Sequence, residues 1–245
     1  MNLHEFLIVC PLVFLAGFVD AIAGGGGLIS LPAYMFAGIP VHHAIATNKL
    51  SSATGTAVST WHLVKSKCVD ICLVPGTVAC AFVGSIAGAN LALIISDKVL
   101  KTVLVFVLPV VAFCVLRDKD LKPVIPEGFT RKKQYLIMAA CSFVIGIYDG
   151  FYGPGTGTFL LIMFMGLAHL TSMESVVNLT SNISALITFI LAGKILWVLG
   201  LSASVFSIAG HYLGAHMVVK NGVKIIKPII LLVLALLLIK IVLGI

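Results

Sequence analysis

Two glycine-rich runs interrupt apolar sequence in this 245-residue chain: Gly24, Gly25, Gly26 and Gly27, and then Gly153, Pro154, Gly155, Thr156, Gly157 and Thr158. Glycine and proline break a helix there. The first turn of the helix that follows offers N–H groups with no partner of their own, which is an arrangement suited to an anion. Close helix packing through glycine is the competing explanation, and it would suffice for a single run. Two equivalent runs, each followed by an unusually polar segment, favour a broken-helix site.

Those polar segments are Thr47, Asn48, Lys49 and Ser51 in the first case and Asn178, Ser181 and Asn182 in the second. Amides and hydroxyls are costly against lipid, so they should face the protein interior. Lys49 has no counterpart in the second segment, where Leu179 stands. It could be a counter-ion for a bound anion or could snorkel to the outer surface. Asp20 and Asp149 precede the two glycine runs by four residues each. A carboxyl inside a membrane can take up a coupling proton or bind sodium. The more ordinary role is to accept backbone N–H bonds and cap the broken helix.

Other chemistries find no constellation. His42, His43, His62, His169, His211 and His216 have no ligand spacing, and the adjacent pair His42 and His43 is expected in an outer loop. Six cysteines, without a CxxC pair, lie scattered through apolar sequence and read as small hydrophobes. The glycine runs lack the strand and the Gly-Lys-Ser/Thr of a nucleotide-binding loop. Neither a metal nor an organic cofactor is implied, and no nucleophile with an acid/base partner suggests an enzyme.

The elements that must position these residues are membrane helices. Hydrophobic residues make up 60% and charged residues 10% of the chain, and the mean hydropathy is +1.16. A soluble domain could not solvate that much apolar surface. Stretches 71–95, 175–193 and 195–219 carry no Asp, Glu, Lys or Arg, and each is long enough to cross a bilayer of about 20 helical residues. The first apolar stretch carries Glu5 in place of a basic leader region and is read as a membrane segment, not a secretory signal. The net charge of +7 reflects topology, not a nucleic-acid partner. Lys65 and Lys67, a central group from Arg117 to Lys133, and Lys220, Lys224 and Lys227 mark three loops expected on the cytoplasmic side, leaving Lys98, Lys101 and Lys194 outside.

The chain also repeats itself. Gly17, Asp20, Gly24 and Gly26 align with Gly146, Asp149, Gly153 and Gly155 at one constant offset, and Asn48 aligns with Asn178. Further on, Gly84, Gly88 and Ala89 align with Gly210, Gly214 and Ala215, a GxxxGA pair that reads as helix packing. The expected architecture is an all-α polytopic membrane protein: a first repeat at 1–116, a cytoplasmic linker at 117–133 and a second repeat at 134–245. It should have about 8–10 transmembrane segments, with broken or re-entrant helices at the glycine runs. Each half crosses an odd number of times on this count, so the repeats should be inverted relative to each other, with a site between them near the midplane.

The stretch from Val19 to Ile29 through the four glycines, the run Ala46, Thr47, Asn48, Lys49, Leu50, and the run from Tyr148 to Pro154 together resemble the sulfite exporter TauE/SafE family, in particular its YfcA-type members. The likeness extends along essentially the whole chain, with the motifs in the right order and at the right spacing. It implies movement of sulfite, sulfoacetate or a related sulfur-containing anion across the bacterial inner membrane. The combined expectation is a secondary transporter working by alternating access. An anion channel, or a carrier of a carboxylate-type anion, is the alternative. Its partners would be a small anion, the lipid bilayer and a coupling proton or sodium ion, and assembly as a homodimer is left open.

Overall fold

A computed structural model describes residues 3–65, 73–103, 106, 130–164, 167 and 173–221. All regular structure in these residues is helical: α1 (Leu3–Ala23), α2 (Gly27–Phe36), α3 (Val41–Lys65), α4 (Val74–Ile94), α5 (Arg131–Phe151), α6 (Thr156–Met163), α7 (Glu174–Leu191) and α8 (Trp197–Asn221). A further helical stretch starts at Asp97. Most of the 117–133 linker, and Pro109, Lys224, Lys227 and Lys240, lie outside the described residues.

Five of these helices, α1, α4, α5, α7 and α8, are long and apolar enough to cross a membrane. Their outward faces carry exposed apolar side chains such as Leu7, Val83, Ile94, Leu136, Val144, Leu191, Val198 and Val205. Lipid can cover such a surface where water could not. The chain is a multi-pass membrane protein.

The short helices arise where the sequence interrupts the apolar pattern. Gly24 ends α1 in the left-handed conformation, with φ +69°, which a side chain would strain. Helix α2 then runs for only ten residues, about 15 Å, too short to cross a bilayer. Gly153 and Gly155, with φ of +90° and +76°, make the equivalent break between α5 and α6. Helix α3 is different again. Its 25 residues span about 37 Å, yet its polar sequence would be expelled from lipid unless enclosed. It is enclosed: Thr47, Asn48, Lys49, Ser51, Thr56, Ser59 and Thr60 are all buried.

Small residues set the closest contacts. The glycines of α4 lie against α5, where a Cβ at Gly84 or Gly88 would run into the carbonyl of Phe143 or Ile147. In the same way Gly210 and Gly214 of α8 leave no room before the carbonyls of Phe14 and Phe18 on α1. Phe14 and Phe18 are the repeat equivalents of Phe143 and Ile147, so the first helix of each half packs on the GxxxGA helix of the other. In both pairs the numbering rises together, and the paired helices are parallel.

Helices α3 and α7 are equivalent in the repeat and run in opposite directions. His43 meets the carbonyl of Lys194 just beyond α7, Lys49 meets Asn182, and Thr60 meets the carbonyl of Ser175. One end of the bundle therefore carries the start of α3 and Lys194. At that end His42 bonds Asp97 and the carbonyl of Ala92 at the close of α4. The other end carries Lys65 and, through the contact of Gly76 with Tyr135, the basic start of α5 at Arg131, Lys132 and Lys133. His42 and His43 are not in a loop, as the sequence suggested. They form the first turn of α3, because the helix begins directly after Pro40 and the polar rings find partners on neighbouring elements.

Candidate functional site: a polar cavity between two crossed glycine breaks

The two glycine breaks touch. A Cβ at Gly24 would fall into the backbone of Gly157, one at Gly27 would come within 2.9 Å of the Cα of Pro154, and the N–H of Thr158 donates to the carbonyl of Gly24 at 3.2 Å. Packing and helix breaking thus act together, since glycine is needed both for the turn and for the approach. Where they cross, a small cavity of about 20 Å³ opens between the halves. Gly24, Gly26, Gly27, Gly153, Thr156 and Gly157 line it from the breaks, Asn48, Lys49, Asn178 and Asn182 from the polar helices, and Asp20 and Asp149 from α1 and α5. The starts of α2 and α6 both reach it, so two positive helix ends meet there.

Four of the residues singled out from sequence do not line this cavity. Thr47 turns away and accepts a bond from the N–H of Leu196 at 3.1 Å, tying α3 to the start of α8. Ser181 is buried, and its carbonyl accepts from Ser85 at 2.6 Å. Gly155 is the left-handed residue that starts α6, and Gly25 makes only ordinary contacts. Ser51 lines the cavity, and its hydroxyl lies 3.1 Å from the hydroxyl of the buried Tyr34 on α2.

Lys49 neither snorkels nor stands free for a ligand. Its ammonium lies 2.7 Å from Asp149 Oδ2 and donates to Asn182 Oδ1 at 3.0 Å. Asn182 in turn donates to Asn178 Oδ1 at 3.2 Å, while Thr156 donates to Asp149 Oδ1 at 2.6 Å. This continuous chain crosses from α6 through α5 and α3 to α7. Charges this deeply buried persist only when paired and hydrogen-bonded, and both conditions hold.

Asp20 has a different set of partners. Its Oδ1 accepts from the N–H of Gly26 at 2.9 Å, which caps the break. Its Oδ2 lies 3.2 Å from His211 Nε2 on α8. His211 Nδ1 lies 2.9 Å from the carbonyl of Ser207 and 3.3 Å from the Ser207 hydroxyl, which can donate to it. With its hydrogen on Nε2, the ring donates to the Asp20 carboxylate. The sequence reading passed over His211 because it sits inside the GxxxGA segment, directly after Gly210, and its repeat equivalent is Ser85.

Among the described residues no group of His, Cys, Asp and Glu is placed to hold a metal ion. A family profile described as Sulfite exporter TauE/SafE matches residues 9–241. The chain belongs to the TauE/SafE family. Among relatives, TauE/SafE similarity reaches the "Probable membrane transporter protein YfcA" of Escherichia coli K12, 36% identical over 231 residues that cover 90% of this chain and 83% of the relative. The "Probable membrane transporter protein ORF9" of a Sinorhizobium species is 33% identical over 95% of this chain and 89% of its own. A "Probable membrane transporter protein" of Haemophilus influenzae is 32% identical over 89% and 87%. No solved structure matches. With this TauE/SafE membership the chain is a membrane transporter of the bacterial inner membrane, and its family and relatives carry the names of transporters, not of enzymes.

Proposed function

We propose that this protein is a secondary transporter of a small anion, of the sulfite or organosulfonate kind, and that the cavity at the crossed glycine breaks is its substrate site. The observation that carries this reading is the convergence of two helix starts and two asparagine-bearing helices on one polar space. An anion leaving water needs fixed donors in place of its hydration shell. Helix N-termini and amides supply them without a full countercharge, which keeps release feasible.

The halves are proposed to be inverted repeats that exchange access to this space. The opposed directions of α3 and α7, and the reciprocal packing of α1 on α8 and α5 on α4, support that relation. Lys65 and the basic start of α5 share one end of the bundle, proposed to be the cytoplasmic one.

Charge bookkeeping in the cavity also argues for coupling to protons. Lys49 cancels Asp149, so the remaining charge is that of the Asp20–His211 pair. Without an additional proton that pair is negative. A like charge about 5 Å away at an effective dielectric of about 20 would oppose an anion by roughly 3 kcal/mol. One proton removes the repulsion, so anion and proton are proposed to bind together.

Flux into proteoliposomes tests the reading, with sulfite, thiosulfate, sulfonates and carboxylates as probes. Saturable uptake driven by a pH gradient is expected for one of the sulfur oxyanions. An ohmic current without saturation would identify a channel, and transport confined to carboxylates would move the substrate class.

A further inference from the structure

A second cavity, of about 40 Å³, shares Asp20, Gly24, Gly157 and Asn178 with the first and extends from them to Glu174 at the start of α7. Thr56 and Ser59 of α3 line the way. Glu174 Oε2 is buried and has no hydrogen-bond partner among the described residues; the other oxygen, Oε1, accepts from Ser175 at 3.0 Å. Glu174 and Asp149 are the only acids between residues 134 and 245.

We propose that this second cavity is a one-sided proton route, in which Glu174 takes up a proton at the Lys65 end of the bundle and passes it to the Asp20–His211 pair. The inference rests on the proposed proton coupling and names its path. One proton leaves the Glu174 carboxyl and binds the Asp20–His211 pair. Glu174 is left ionised, and the pair moves from negative to neutral. A water needs about 10–15 Å³ of such space, so two or three fit, and hydroxyls and an amide oxygen are at hand to bond them.

The repeat sharpens the argument. Among the residues lining the two cavities, three break it with titratable side chains: Glu174 stands where the first half has the buried Ala44, His211 where it has Ser85, and Lys49 where the second half has Leu179. Glu174 and His211 both serve Asp20, whereas Lys49 fixes Asp149. Proton exchange is thereby assigned to Asp20, and among the described residues the route runs from it toward the Glu174 end. The charged or titratable groups around this pair are Lys49 from α3 and Asp149 from α5, already matched to each other, and Glu174 from α7.

Proton binding can be read without any substrate. Protein reconstituted in vesicles is titrated from about pH 5 to about pH 8 by infrared absorption of the protonated carboxyl, and proton uptake after a pH jump is followed with an enclosed dye. Glu174→Gln is expected to remove one titrating carboxyl component and to slow proton uptake roughly tenfold or more, with Glu174→Asp restoring both in part. If Glu174→Gln does not insert, Thr56→Val, which takes a hydroxyl from the route, should slow uptake alone. An unchanged carboxyl band and unchanged uptake in Glu174→Gln, or in Thr56→Val where that variant is the one measured, would overturn the route. Failure of wild-type vesicles to carry sulfite would instead count against the transport reading, and the substrate-free measurements would still decide this one.

Discussion

Lys49 Nζ lies 2.7 Å from Asp149 Oδ2, so the buried base of the first half neutralises the buried acid of the second. The equivalent acid, Asp20, draws its partner from a different helix, pairing with His211 on α8. A chain that repeats its glycines, acids and asparagines has thus made its two halves electrically unlike. One pair joins a lysine to a carboxylate, and the other joins a carboxylate to an imidazole.

Breaking the permanent pair should be costly. Lys49→Met leaves Asp149 ionised and unmatched in the interior, and destabilisation of about 3–5 kcal/mol is expected. The double variant Lys49→Met with Asp149→Asn should recover most of that loss, since both charges are gone. Thermal unfolding in detergent measures it. Equal stability of single and double variants would mean that the two side chains do not share an interaction.

The four consecutive glycines should not tolerate substitution equally. Gly24 has a positive φ and lies against the backbone of Gly157, and Gly88 lies against the carbonyl of Ile147. Gly24→Ala and Gly88→Ala are each expected to cost about 1–3 kcal/mol through overpacking and strain. A Cβ at Gly25 meets nothing closer than 3.8 Å, so Gly25→Ala should stay within about 0.5 kcal/mol of the parent. Unfolding midpoints of the three variants rank them directly, and a destabilised Gly25→Ala alongside a neutral Gly24→Ala would contradict the crossing.

Much of this architecture is legible in the sequence because it follows from one-dimensional signals. Charge-free length gives the apolar helices, glycine at fixed spacing gives the breaks, and the offset between Asp20 and Asp149 gives the repeat. What remains hidden depends on which side chains meet across the repeat. Lys49 has no local partner in sequence and finds Asp149 a hundred residues away. His211 lies in a segment whose glycines already explain it as packing. Thr47 and Ser181 share the polar segments with Asn48 and Asn178, yet helical geometry turns them off the cavity. Polarity says that a residue is enclosed; only the packing says what it faces.

Orientation can be read by labelling. In a background freed of the six native cysteines, single cysteines at Lys65, Lys122 and Lys194 are exposed to an impermeant maleimide on intact cells. Label at 194 and protection at 65 and 122 is expected, since Lys65 shares its end of the bundle with the basic start of α5. The opposite pattern would invert the whole assignment and place the Glu174 side of the molecule in the periplasm.

The asparagines carry the sharpest test of the substrate site. Asn48 and Asn178 both line the cavity, and among the described residues neither amide nitrogen has a hydrogen-bond acceptor, Asn178 being bonded through its oxygen to Asn182. Both can therefore turn an N–H toward an anion in the cavity, where a donor to a charged group is worth roughly 1.5–3 kcal/mol. Asn48→Ala or Asn178→Ala should weaken binding on the order of tenfold to a hundredfold, measured by calorimetry with sulfite as the first probe. Thr47→Val is the control, because it strips the N–H of Leu196 of its acceptor but removes nothing from the cavity wall. It should lower thermal stability and leave affinity unchanged. If instead both asparagine variants bind like the parent and Thr47→Val does not, the anion lies nearer the start of α8 than the crossed glycines.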